Sequence, residues 1–84
     1  MSSSDHYLRM RLVEKTAAAV KVTASKRPPE NGQALFFQWI PRSLIGYSRT
    51  EPALVDGEFP QFTFTLPEWK IERDNLWAHV TDAR

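Results

Sequence analysis

The chain contains no cysteine. It therefore has neither a disulfide framework nor a thiolate metal site. Histidine is nearly as scarce, and the spacing of His6 and His79 matches no zinc pattern. Three separated glycines exclude a glycine-rich phosphate loop. No apolar run approaches the roughly 20 residues that a membrane-spanning helix needs. The opening Met1-Ser2-Ser3-Ser4-Asp5-His6 has neither the basic start nor the apolar stretch of a secretory leader. These absences lead to the expectation of a cytoplasmic protein with no membrane contact, metal or cofactor.

Catalytic arrangements are equally thin. Ser43, His79 and Asp82 supply the residue types of a nucleophilic set, but no glycine pattern of a nucleophile elbow surrounds Ser43. Glu68 and Glu72 stand four apart on an expected short helix, where paired carboxylates read as a solvated face. The expectation is a protein that is not an enzyme.

What the chain has is aromatic bulk. Its 84 residues, enough for one domain, include three Trp, two Tyr and five Phe. A domain of this size has a thin core, and large rings compensate. Two tryptophans stand within two residues of a proline at the end of a strand-like run, in Trp39-Ile40-Pro41-Arg42-Ser43 and Leu66-Pro67-Glu68-Trp69. Both are expected to fill the core where a strand stops.

The net charge of +1 conceals a division. Residues 1–50 hold eight Lys/Arg and three acids, whereas residues 51–84 hold three Lys/Arg and seven acids. Folding either interleaves the halves into a mixed surface or leaves one basic side.

Residues 1–6 are polar and read as a disordered tail, with 7–84 as a single small β-rich domain. Leu8, Met10 and Leu12 alternate with Arg9 and Arg11, which predicts a strand with guanidinium groups on one face. Residues 17–25 read as a second strand. Lys26 to Gly32 is a loop, because Pro28-Pro29 removes donors and Asn31-Gly32 accepts positive φ. Leu35 to Ile40 predicts a strand ending at Pro41, with Leu35, Phe37 and Trp39 on one face and Phe36, Gln38 and Ile40 on the other. Residues 43–45 resume a strand or begin a turn, and Gly46 to Glu58 reads as one long connection. Phe59 to Leu66 is a strand, and Pro67 opens a helix that Asp74-Asn75 stops. Residues 76–80 fit both a helix stripe and a last strand, and read as a strand or extended segment. The fold class is mostly β (α+β): a small antiparallel bent sheet or SH3/OB-like barrel of four to five strands with one short C-terminal helix.

Binding remains. Protein interfaces favour Trp, Tyr and Arg anchors. Tyr47, Arg49 and Trp77 lie in weakly patterned segments, and with Arg42 they are the expected partner-binding residues. Single-stranded nucleic acid is held by stacking beside a positive groove. Phe36, bordered by Lys21, Arg27 and Arg42, is the alternative site; the competing and preferred reading has Phe36 and Ile40 cover a second small core layer or lie under the C-terminal helix.

Lys15-Thr16-Ala17-Ala18-Ala19, Trp39-Ile40-Pro41-Arg42-Ser43 and Leu66-Pro67-Glu68-Trp69 resemble motifs of small phage and prophage proteins, a K-T-x-x-A strand, a W-[IV]-P-[KR]-S strand end and an [IV]-P-x-W helix opening. The resemblance spans roughly residues 13–76, and this chain departs in its 46–58 connection and its tail. It implies a small β-barrel or strongly bent sheet with one helix. By association it implies a non-enzymatic inhibitor of a host complex, of the anti-CRISPR type, whose partner is a host protein or ribonucleoprotein. The alternatives are a single-stranded DNA-binding module of phage recombination and a small structural or virion component. The chain itself is expected to be a monomer or small homo-oligomer.

Overall fold

The computed structural model of the chain describes residues 4–30 and 33–81. Within them, strands β1 (Asp5–Lys15), β2 (Ala19–Thr23), β3 (Gln38–Pro41), β4 (Ser48–Glu51), β5 (Gln61–Pro67) and β6 (Val80–Thr81) accompany one helix, α1 (Glu68–Arg73). Single turns of 3-10 helix occupy Arg42–Leu44 and Trp77–His79. All strands belong to one antiparallel sheet in the order β3-β2-β1-β5-β4, with β6 also on β1. The protein is thus mostly β, an unclosed bent sheet with one short helix.

The sheet is organised by β1. Its alternation turns Leu8, Met10 and Leu12 into the core and Tyr7, Arg9 and Arg11 to the other face. One edge pairs with β5 from Asp5↔Pro67 to Arg11↔Gln61. The other edge is shared: β6 takes Tyr7 and Leu8, and β2 takes Arg11 to Lys15. The register with β2 shifts between Leu12 and Glu14, and such a bulge bends a strand. The bend matters for closure. β3 and β4 are the two outermost strands, yet residues 42–47 alone join them, and Leu44 and Ile45 from that link pack against the core.

The core lies on the inner face. Leu8, Met10, Leu12, Val20, Val22, Ile40, Phe62, Phe64 and Leu66 supply it from the strands, and Ile71 and Leu76 close it from α1 and beyond. The helix ends as its sequence dictates. Asn75 adopts φ 55, a left-handed conformation that Asn tolerates. The Leu76 N–H then donates to the Ile71 carbonyl at 2.9 Å, and the Asn75 N–H to Glu72 at 3.3 Å. This is a Schellman closure, with Ile71 and Leu76 buried beside each other in the cluster.

Several expectations need correction. The 46–58 connection contains β4, whose four exposed residues, Ser-Arg-Thr-Glu, carry no apolar alternation to reveal it. The sheet accordingly has more strands than the four or five expected, and it is not a closed barrel. The supposed disordered tail is partly ordered: Asp5 and His6 begin β1, and the Ser4 carbonyl accepts the Glu68 N–H at 3.0 Å. Residues 1–3 lie outside the described residues, as do Asn31 and Gly32 of the expected turn. Pairing of the third strand begins only at Gln38. Residues 76–80 are neither one helix nor one strand but a 3-10 turn leading into β6. Pro67 caps α1 rather than forming its first turn. Trp39 and Trp69 do not fill the core; they are 41% and 48% exposed, and Ile40 and Ile71 take the buried positions.

Phe64→Ala removes a fully buried ring and is expected to cost about 3–5 kcal/mol of stability. Trp39→Ala is expected to cost about 1 kcal/mol, because its ring already faces water. Urea denaturation of both variants checks the contrast.

Candidate functional site: the uncovered face of the sheet

The helix covers only the inner face. The outer face carries cross-strand rows set by register. The first is Thr81–Tyr7–Thr65–Tyr47, the second Arg9–Thr63–Arg49, and the third Thr23–Arg11–Gln61–Glu51. Beyond the bulge, Glu14, Lys21 and Trp39 continue the face toward β3.

Two groups of large side chains stand on it. On the β3 side, Phe37 and Trp39 meet edge to face with centroids 6.4 Å apart. The Lys21 ammonium lies 4.0 Å from the Phe37 centroid and 5.7 Å from that of Trp39, where the ring faces attract a cation. On the β4 side, Tyr7 and Tyr47 pack edge to face at 5.9 Å. Tyr47 is fixed by its backbone: its N–H donates to Thr65 Oγ1, and its carbonyl accepts the Thr65 N–H, both at 2.9 Å. Below it Arg9 and Arg49 flank Thr63, whose Oγ1 is buried without a hydrogen-bond partner among the described residues.

A clamp separates the two groups. Arg11 donates to the Phe59 carbonyl at 2.8 Å and to Glu58 Oε1 at 3.4 Å. Glu58 also pairs with Arg27 at 3.7 Å, and the Phe59 N–H donates to the Lys26 carbonyl at 2.8 Å. The segments following β2 and preceding β5 are thereby tied together across Arg11.

Among the described residues, recesses open toward the core. A cleft of about 560 Å³ has Met10, Val22 and Leu76 as its floor and Phe36, Phe37 and His79 among its other walls. A smaller pocket of about 210 Å³ places Lys15 and Arg42 beside Val20, Ile45 and Phe62.

The expected partner-binding residues do not form one patch. Tyr47 and Arg49 share the outer face. Trp77 packs against His6, ring centroids 5.3 Å apart, and His6 itself bonds Glu68 at 3.0 Å. Arg42 lines the small pocket. Of the alternative set, Lys21 joins an aromatic group, but its rings are Phe37 and Trp39 rather than Phe36. Phe36 covers no second core layer, since it is 87% exposed. Arg27 is engaged by Glu58, and Arg42 stands apart from it. Among the described residues no hydrogen bond joins Ser43 to His79, and Asp82 lies outside them.

The residues that sequence reasoning missed are Tyr7, Arg9, Phe37 and Trp39. Arg9 had a signal in the Leu8–Met10–Leu12 alternation. Phe37 and Trp39 had one in the alternation that set them opposite Ile40, but their bulk pointed to the core, whereas Ile40 is the one buried residue of β3.

Among the described residues no cluster of His, Asp and Glu is arranged to hold a metal ion, and no helix is long and apolar enough to cross a membrane. Comparison with protein-family models, curated proteins and solved structures found no match to this chain.

Glu58→Gln is expected to cost about 1–2 kcal/mol by weakening charge-assisted bonds to Arg11 and Arg27. Hydrogen exchange of the Phe59 amide should accelerate as the clamp loosens, which nuclear magnetic resonance reads directly.

Proposed function

We infer that the protein is a non-enzymatic binding module that applies the outer face of its sheet to a protein partner. One observation carries this reading: Phe37, Trp39 and Tyr47 stand exposed on the face without a helix, while the core is complete without them. Exposed Trp, Tyr and Arg anchors are the usual energetic centres of interfaces.

The charges favour protein over nucleic acid. A phosphate-binding track leaves its cations free to replace counterions. Here Arg49 pairs with Glu51, and Arg11 and Arg27 share Glu58. Interleaved charge around aromatic anchors suits the mixed rim of a protein interface. Inhibition of a host complex, of the kind anti-CRISPR proteins perform, is the biological role that the resemblance to phage and prophage proteins suggests.

A second reading rests on one specific feature. Lys21 beside Phe37 and Trp39, with Phe36 exposed nearby, has the elements of a base-stacking platform for single-stranded DNA.

The test is capture from host lysate, with and without nuclease, using the native chain, a Phe37→Ala/Trp39→Ala/Tyr47→Ala variant and a Trp69→Ala control. Loss of a nuclease-resistant partner in the triple variant alone supports the protein interface. Unchanged capture by the triple variant refutes it. Quenching of tryptophan fluorescence by oligonucleotides, falling steeply with salt, selects the second reading instead.

A further inference from the structure

The two edges of the sheet are not equivalent. On β3, the Arg42 N–H donates to the Ala18 carbonyl at 2.9 Å, in line with the register Val20↔Ile40. Ladder alternation then turns the backbone groups of Gln38 and Ile40 toward β2 and those of Trp39 and Pro41 outward. Pro41 has no N–H, so this edge is blunted at its end.

On β4, the Thr65 N–H donates to the Tyr47 carbonyl, within the register Ser48↔Phe64. Tyr47, Arg49 and Glu51 therefore direct their backbone groups to β5. Ser48 and Thr50 direct theirs outward, each with donor and acceptor. All four residues of β4 are exposed. This is an open template for another strand.

We propose that the β4 edge binds a second copy of the chain, antiparallel and centred on Thr50. The occupant is identified by charge. A strand centred there places Arg49 opposite Glu51 of the second copy, and Glu51 opposite its Arg49, on the same outer face. These are non-hydrogen-bonded pairs, in which side chains approach most closely. The two Thr50 residues exchange both backbone bonds, and each Ser48 N–H reaches the Pro52 carbonyl of its mate. Sliding the mate by two residues sets Arg49 against Arg49 one way and Glu51 against Glu51 the other. Charge on an edge strand ordinarily deters pairing. Opposite charges two residues apart deter every neighbouring antiparallel register and favour this one. In the single chain the same two side chains meet within one strand, at 3.4 Å. The inference stands apart from the proposed function, because it concerns the isolated chain.

A four-residue strand pair is a small interface, so the dimer is weak and forms at high concentration. Sedimentation equilibrium up to millimolar protein is expected to show a monomer–dimer equilibrium that weakens with salt. Arg49→Glu and Glu51→Arg, each introducing two like-charge pairs, are expected to weaken it about tenfold. The combined variant Arg49→Glu/Glu51→Arg restores it. Thr50→Pro removes an outward N–H without touching the β5 ladder and is expected to abolish it, with circular dichroism confirming the fold. A chain that stays monomeric at millimolar concentration overturns the proposal. So does a charge swap that fails to rescue, or a dimer that survives both single reversals and is lost in Trp39→Ala.

Discussion

The backbone of β1 is the shared resource of this fold. Three strands take hydrogen bonds from it directly, and two of them divide one edge between them. An eleven-residue strand serves in this way because its side chains alternate cleanly and because a bulge near Val13 lets its far end turn. The turn carries β2 and β3 around toward β4, so that residues 42–47 can span from one side of the sheet to the other. Leu44 and Ile45 pack against the core as a result of that crossing. A straight β1 would leave the inner face open at this end.

Strands with a buried face were legible in the sequence, and those without one were not. Leu8–Met10–Leu12 and Phe62–Phe64–Leu66 announce themselves through alternation, and burial enforces the same alternation in the fold. β4 has no buried residue, so its existence depends on hydrogen bonds to β5, which no local pattern encodes. β6 is two residues long and exists because the Trp77–His79 turn delivers Val80 to Leu8. The stop of α1 was readable from Asp74-Asn75, since the left-handed residue that ends the helix is chemically distinctive.

The candidate face was half visible for a related reason. Arg9 on β1 showed in that strand's alternation, but its placement with Arg49 on either side of Thr63 is a consequence of pairing between distant segments. The aromatic residues misled because size was equated with burial. Six of the ten rings are exposed, and the two buried ones, Phe62 and Phe64, come from β5, an interior strand of the sheet. In a domain this small, the interior is filled mainly by aliphatic side chains, leaving the large rings outside.

Glu58 has a mechanical implication. It grips Arg11 on the sheet and Arg27 in the segment after β2, while Phe59 is bonded to Lys26. Neither flanking segment swings away alone; detaching one strips the other of its anchor. The two segments are thereby coupled, and a ligand that displaces one of them also breaks contacts that hold the other.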